Sequence, residues 1–552
     1  MNRLHRWFPF LSWPRPSARL LRGEALAGLT VALIMVPQTV AYAALAGMPL
    51  VTGFYAALLP TLVGVLWSSS TRLAVGPTAL TCLLVGASIT GMAEPGSPQW
   101  VAIAVWLAIL SGALQLALGL AKSGWLLNLI SSPVLAGFTQ AAALLIIASQ
   151  LPALLGLEGS LSSLWSHPKI NTYAAAMGLG GLVMLMLGKR YWPHIPMIML
   201  VVVGAAVISY VTRFEALGGA VVGNLPSALP TLQMPLLLPM DTLSALVLPA
   251  MMIALVSFVE TASSAKIESQ KDGIRWNDNQ DLIGQGLAKL ASAAVGSFPT
   301  SASFSRAAIT LYSGARTGWA TVFLVSIVLL ALLFFTPALH HVPRSILAAV
   351  VVAAVMGLIK TATFHQLWRV SRVEAITSGM TFAITLLTAP RIYWGVLAGV
   401  LMGLGHFLHY RLHPRIIEVG LHPDGSLRDR HLWKLPPLAL KLYALRMDAE
   451  LDFAAASNFE RHILEHLATQ PEITDVCLFA NAINRVDVTG VETFRQLLNT
   501  FAQRGITLHI SGLKLPVEQI LRQAGLLAPD ARLKMYRTDA ETLEALRNPP
   551  AA

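Results

Sequence analysis

Between residue 24 and residue 410 the chain returns repeatedly to apolar runs of helix-spanning length, and this limits what it can fold into. A helix needs roughly 20 predominantly apolar residues to cross roughly 30 Å of hydrocarbon. The runs place about fourteen segments, at 24–46, 51–67, 74–91, 99–121, 130–151, 172–188, 195–212, 245–266, 279–296, 302–313, 317–336, 345–359, 374–388 and 391–410. Charged residues make up only 12% of the chain, about half their share in a soluble domain. The fold class these runs predict is an all-α polytopic membrane protein.

From residue 438 the texture changes, with charged residues every few positions and no run long enough to cross a bilayer. A soluble domain is therefore expected at 438–548, joined through a linker at 411–437. The segment 1–23 spreads its arginines among Pro9, Pro14 and Pro16, unlike a cleaved signal peptide, and is expected to stay attached. Cys82 and Cys477 fall in different regions, so neither a disulfide framework nor a cysteine metal site is expected.

The formal net charge of +11 is arranged as a topology signal rather than as a nucleic-acid surface. Arg3, Arg6, Arg15, Arg19 and Arg22 precede the first run. Arg72, Lys122, Lys189, Arg190, Lys266, Lys271, Arg275, Arg316, Lys360, Arg369, Arg372, Arg411 and Arg415 fall on the same side of the membrane. The other side has chiefly Lys169, Arg213, Arg344 and Arg391. The asymmetry puts both termini in the cytoplasm with an even number of spans.

The third and tenth segments are too short, or too interrupted by Gly, Pro and Ser, to cross as regular helices. They occupy matching places in two halves, 24–212 and 245–410, the second inverted relative to the first. Such paired interruptions point to a transporter's binding site. Irregular backbone at membrane depth survives only where protein or a watery cavity satisfies its polar groups. The stretches "LAVGP" (73–77) and "SFPTS" (297–301) would each lead into a half-helix presenting unpaired N–H groups and the positive end of its dipole. Two such ends facing each other form an anion site, to which Thr78, Ser303, Ser305 and Arg306 add hydroxyls and a positive charge. The alternative is that these are the ordinary small and polar residues of packed membrane helices.

Glu260, in "ALVSFVETASSAKIES", is read as the only carboxylate well inside a predicted span, so it must face a polar interior. Either it couples proton entry to anion entry, or it forms a permanent ion pair joining two segments. In "MVPQTVAYAALAG" (35–47), Pro37 interrupts the first helix and Gln38 and Tyr42 stand at i and i+4 on one face. They could donate to a bound anion, or simply pack inside a kinked helix.

These residues resemble the SulP anion permeases, the sulfate permease and solute carrier 26 family. "AGLTVALIMVPQTVAYAALAGMPLVTGFYAALLP" (27–60) looks like the family's first-helix signature, "LAVGPTAL" (73–80) its third segment and "PTSASFSRAAI" (299–309) its tenth. The resemblance implies fourteen helices in two inverted seven-helix repeats divided into core and gate domains, an elevator-like mechanism, and frequently a homodimer. By motif position it implies anion contacts from Gln38, Tyr42, Thr78, Ala79, Phe304, Ser305 and Arg306, and cation coupling at Glu260. Where many sulfate-transporting members have glycine, this chain has Ala302.

In the tail, "LKLYALRM" (440–447), "DVCLFA" (475–480) and "ITLHISGL" (506–513) read as strands. "AASNFERHILEHLATQ" (455–470), "VETFRQLLNTFAQRG" (491–505) and "PVEQILRQAGL" (516–526) read as amphipathic helices, giving an α/β fold. The tail resembles the STAS domain, named for sulfate transporters and anti-sigma factor antagonists. Thr489, in "RVDVTGVETF" (485–494), stands where regulatory relatives carry a phosphorylatable hydroxyl; it also suits a plain helix cap.

Nothing resembles an enzyme, and no phosphate-cradling lysine loop is present, which argues against ATP-driven pumping. His340, His341, His406 and His409 lie near predicted helix ends without metal-ligand context, and no cofactor or metal is expected. The expected function is secondary transport of an inorganic anion, sulfate with a coupling proton, across a bacterial inner membrane. The partners are then the anion, the proton, membrane lipid, a second copy of the chain and a cytoplasmic ligand of the tail. The alternatives are a sodium- or chloride-coupled bicarbonate or dicarboxylate transporter, and an anion channel or signalling receptor acting through the tail.

Overall fold

A computed structural model describes residues 8–157, 170–192, 195–528 and 532–547. Arg3, Arg6 and Lys169 of the charge asymmetry lie outside the described residues. The chain divides into two compact units, Met1–Gly403 and Leu404–Ala552.

The first unit is helical. In chain order it contains α1 (Ala18–Leu45), α2 (Thr52–Ala57), α3 (Leu59–Trp67), strand β1 (Val75–Gly76), α4 (Ala79–Ile89), α5 (Pro98–Leu120) and α6 (Ser132–Leu154). There follow α7 (Thr172–Tyr191), α8 (Met197–Val211), α9 (Met240–Asp272), α10 (Asp278–Ala294), strand β2 (Ser301–Ala302) and α11 (Phe304–Tyr312). The unit ends with α12 (Trp319–Leu330), α13 (Thr336–Leu339), α14 (Arg344–Met356), α15 (Thr361–Val370), α16 (Arg372–Leu387) and α17 (Tyr393–Leu412), whose last residues belong to the second unit. Among the described residues, seven helices are long and apolar enough to cross a membrane, and α4, α8 and the α2–α3 pair are shorter apolar helices.

Close helix packing is built on small residues, as expected where lipid offers no hydrophobic drive for association. The crossing of α5 and α10 is an example. A Cβ on Gly112 would stand 2.9 Å from the Gly286 carbonyl oxygen, and one on Gly286 would stand 2.7 Å from the Leu116 nitrogen. The buried ends of this unit are tied by charge. Glu24 of α1 accepts from the backbone N–H groups of Arg316, Thr317 and Ala320 at 2.8, 3.1 and 3.0 Å, around the start of α12. Asp281 of α10 accepts from the Ser69 and Ser70 backbone and from the Trp276 indole. Arg72 pairs with Glu268 and Asp272 of α9. Glu24 and Asp281, near the starts of the predicted spans 24–46 and 279–296, are buried carboxylates too. Both are satisfied by neutral donors, as a structural carboxylate requires.

The second unit is an α/β domain on a six-stranded sheet. Its strands are β3 (Ile416–Leu421), β4 (Leu427–Asp429), β5 (Leu442–Met447), β6 (Asp475–Phe479), β7 (Thr507–Ser511) and β8 (Leu533–Tyr536), in the order β4-β3-β5-β6-β7-β8. The pairs β5–β6, β6–β7 and β7–β8 are parallel, whereas β3 runs antiparallel to both β4 and β5. The crossovers include α19 (Ala456–Thr469), α20 (Val488–Arg504) and α21 (Leu515–Gln523), preceded by the short α18 (Arg430–Trp433) and followed by α22 (Asp539–Arg547). Their apolar faces, with Phe459, Ile463, Phe494, Leu497 and Leu521, join Tyr443, Leu445, Val476 and Ile510 of the strands in one core. The segment 411–437, expected to be a linker, instead supplies β3 and β4 to the sheet edge. Six residues of "IIEVGL" are too few to stand out beside a long apolar helix.

Candidate functional site

The two interrupted stretches meet. β1 and β2 pair antiparallel, Val75 opposite Ala302 and Gly76 opposite Ser301, and all four residues are buried. Gly76 has φ +152°, and a Cβ there would stand 2.5 Å from Met35 Cε of α1. The pair is braced by Ser303 N–H donating to the Ala74 carbonyl at 3.0 Å, Thr61 Oγ1 to Val75 at 2.9 Å and Ser301 Oγ to Ser257 at 3.1 Å. Because β1 leads directly into α4 and β2 into α11, the antiparallel pairing brings two helix N-termini together. Each carries the partial positive charge of its unpaired N–H groups.

Each half-helix is capped by a hydroxyl. Thr78 accepts from Thr81 N–H at 3.4 Å, and Ser303 from Arg306 N–H at 3.5 Å. Between them Arg306, 1% exposed, donates through Nη2 to the Pro77 carbonyl at 2.9 Å and through Nη1 to Gln38 Oε1 at 3.4 Å. Among the described residues its Nε is buried without a partner. Glu260 of α9 holds Thr78 Oγ1 at 3.1 Å and Thr81 Oγ1 at 3.5 Å. Gln38, Thr78, Glu260 and Arg306 therefore form one cluster drawn from α1, α4, α9 and α11.

The other expected residues are placed less uniformly. Tyr42 is buried one turn beyond Gln38 on α1. Ala79 opens α4 and is half-buried. The Ser303 and Ser305 hydroxyls lie 3.3 Å apart, with Ser305 exposed. Phe304 is 51% exposed and shares a small cleft with Arg72, Glu268 and Leu311. The Thr78 and Ser303 hydroxyls already accept from backbone N–H groups; the Ser303 proton is open to Ser305 or a ligand, whereas the Thr78 proton is donated to Glu260 and reaches a ligand only when that bond is given up.

Comparison with known proteins decides what this arrangement belongs to. The model of the sulfate permease family matches residues 21–381, and that of the STAS domain matches residues 440–541. The chain belongs to the sulfate permease family. A probable sulfate transporter of Mycobacterium tuberculosis is 31% identical over 539 residues, covering 96% of each chain. The chloroplastic sulfate transporter 4.1 of Arabidopsis thaliana is 29% identical over 560 residues, covering 94% of this chain and 79% of its own. The fold is similar to the murine solute carrier 26 member A9 anion transporter in its inward-facing state. That match has a TM-score of 0.87 at 19% identity, covering 99% of this chain and 95% of that one. The transmembrane domain of the cyanobacterial bicarbonate transporter BicA matches with a TM-score of 0.60 at 20% identity, covering 71% of this chain and 99% of that one. As a sulfate permease family member with a C-terminal STAS domain, the chain is a multi-pass membrane anion transporter and not an enzyme.

Two residues of this permease escaped the sequence reading. Lys289, 0% exposed on α10, donates from Nζ to Gln115 Oε1 at 2.9 Å. Gln115 of α5 in turn donates to the Ala254 carbonyl at 2.7 Å and to Ser257 Oγ at 3.0 Å, one turn before Glu260. The signal was present, a lysine in the middle of the predicted span 279–296, but it lies outside the two interrupted stretches.

In the STAS domain, Asp487, not Thr489, is the cap of α20. Its Oδ1 accepts from Gly490 N–H at 2.8 Å and its Oδ2 from Phe453 N–H at 2.9 Å. A carboxylate suits the positive end of a helix better than a hydroxyl does, and the helix begins at Val488, ahead of the expected start at 491. Thr489 stands exposed in the first turn. Burial pushes the Cys477 thiol up to about 12, which leaves it an inert core residue.

Proposed function

We propose that this permease takes up sulfate together with a proton. The observation that carries the reading is the pair of facing half-helix N-termini with Arg306 between them and Glu260 bonded to Thr78. A tetrahedral oxyanion would be held by Arg306 and by free N–H groups of α4 and α11, at Ala79, Phe304 and Ser305. Gln38, Tyr42, Thr78 and Ser303 would complete its shell. Glu260 would carry the proton, its hydrogen bonds to Thr78 and Thr81 exchanging as the proton arrives. Sulfate as the substrate is supported by the names of the mycobacterial and plant relatives.

The membrane region, 24–410, is read as fourteen segments in two inverted repeats, 24–212 and 245–410. The site would be carried across the membrane by an elevator-like movement of core against gate. The chain is placed in the inner membrane as a homodimer, with the segment 1–23 and the STAS domain, 438–548, in the cytoplasm. Thr489 is a candidate point for regulatory phosphorylation or for docking of a cytoplasmic partner.

The test is uptake of radiolabelled sulfate into proteoliposomes under an inward proton gradient, with and without sodium, against bicarbonate, fumarate and chloride as competitors. Gradient-driven accumulation is expected in the wild type, with Glu260→Gln keeping anion exchange but losing accumulation. Accumulation unchanged in Glu260→Gln would overturn the coupling. Sodium-driven bicarbonate uptake without sulfate uptake would overturn the substrate, and conduction without accumulation would make the protein a channel.

A further inference from the structure

Lys289 presents a problem in electrostatics. It is fully buried on α10, inside the first unit, and among the described residues neither it nor Arg306 has a carboxylate within 4.0 Å. Among the described residues its one hydrogen-bond partner is the neutral Gln115. A buried ammonium is costly unless an opposite charge compensates it. Arg72, the other buried cation of this unit, is compensated by Glu268 and Asp272.

The surroundings of Lys289 show where its counter-charge must come from. From α5 it meets Gln115, which ties it to Ser257 of α9. Ser257 stands one turn before Glu260, and its carbonyl accepts from Ser301 of β2, which leads into the second half-helix. Through this bridge Lys289 reaches the turn of α9 that carries Glu260, and Arg306, bonded to the Pro77 carbonyl, adjoins the Thr78 hydroxyl that Glu260 holds. Asp281, two turns back along α10, is already engaged by Ser69, Ser70 and Trp276. With Lys289 protonated, the interior around the half-helices holds, among the described residues, two cations and one carboxylate. Its net charge is one positive with Glu260 ionised and two positive with Glu260 protonated.

We propose that Lys289 determines which anions this permease accepts: its buried charge, added to that of Arg306, matches the site to a divalent oxyanion when Glu260 carries its proton. Lys289 acts at a distance, through the field it contributes and through the Gln115–Ser257 bridge, and does not touch the substrate. A divalent anion supplies the compensation that the protein withholds. A monovalent anion leaves one buried positive charge uncompensated and is disfavoured. The inference rests on the proposed location of the anion site, but not on sulfate being the preferred dianion.

The test compares wild type, Lys289→Met and Lys289→Arg in proteoliposomes. It measures the half-maximal concentration for sulfate uptake and the inhibitory concentrations of selenate, chloride and bicarbonate. Removing one buried charge should weaken both divalent anions by about tenfold and the monovalent ones by about threefold, since a monovalent anion feels half the interaction energy, while Lys289→Arg stays near wild type. A merely structural lysine would weaken all four by the same factor, and that unchanged divalent-to-monovalent ratio overturns the proposal. Should Lys289→Met fail to fold, Gln115→Glu sets a carboxylate against the ammonium and must lower the same ratio. If the wild type transports a monovalent anion and binds no sulfate or selenate, this proposal fails together with the substrate assignment. If it moves dianions without a proton gradient, only the coupling fails and the ratio still decides the role of Lys289.

Discussion

The STAS sheet and the interior of the membrane unit treat buried polar charge in opposite ways. In the sheet domain, Asp452 accepts from the Ala454 and Ala455 N–H groups and from Arg411. His509 lies between Asp475 at 3.0 Å and Tyr536 at 3.2 Å. Around the half-helices, Arg306 keeps an unpartnered Nε and Lys289 leans on an amide. The sheet domain pairs these buried charged groups and, among the described residues, leaves open only the neutral Tyr443 hydroxyl, because each buried polar group left open costs about 1–3 kcal/mol. A transporter must leave some open, since interactions already completed within the protein are not available to its ligand. The same contrast exists inside the membrane unit, where Glu24 takes three backbone N–H groups and Glu260 takes two hydroxyls that can turn away.

The contrast is broken most directly at Arg306. Arg306→Ala should reduce sulfate uptake at subsaturating concentration by about 100-fold, the loss expected when a buried charge partner of a bound anion is removed. Its thermal stability in detergent should be unchanged or slightly higher, because the side chain removed was not ion-paired in the empty protein. A large fall in melting temperature would show that Arg306 is a structural residue and that the openness of its Nε has no functional meaning. Arg306→Lys should recover only part of the uptake, since an ammonium cannot reproduce the guanidinium fork toward Gln38, Pro77 and the anion at once.

Glu24 should behave in reverse. Glu24→Ala leaves three backbone N–H groups around the start of α12 without acceptors in a site 1% exposed, and should cost about 3 kcal/mol. The measurement is the melting temperature of the detergent-solubilised protein, beside uptake per folded molecule, which should stay within about twofold of wild type. Loss of uptake without loss of stability would move Glu24 into the transport machinery.

How far the sequence disclosed these roles depended on whether a residue disturbed a pattern. The stretches 73–77 and 297–301 were legible because Gly, Pro and Ser interrupt apolar runs at matching places, and the fold pairs them as β1 and β2. Arg306 was legible because charge is conspicuous beside such an interruption, and Glu260 because it was read as the only carboxylate well inside a predicted span. Lys289 was passed over because it stands in a helix with regular flanks, where hydropathy averaged over a span absorbs one lysine. The start of α1 at Ala18 was missed for a related reason: Arg19, Arg22 and Glu24 are helical without being apolar. Hydropathy reports contact with lipid, and a helix reaching into the aqueous boundary outruns it.

The smallest effect discriminates between the two readings of Thr489. Asp487 caps α20 with both oxygens engaged, so Asp487→Ala should destabilise the STAS domain by about 1 kcal/mol. Thr489→Ala, at an exposed first-turn position, should change stability by less than about 0.5 kcal/mol. If Thr489 were the cap, these magnitudes would be exchanged. Thr489→Glu then isolates regulation from folding. A negative charge in the first turn is compatible with the helix dipole, so this substitution should be tolerated in stability. Any change it makes in sulfate uptake must act through what the domain meets rather than through how it folds. Unaltered uptake and unaltered binding of cytoplasmic proteins in Thr489→Glu would remove the regulatory role and leave Thr489 as a solvent-facing residue of α20.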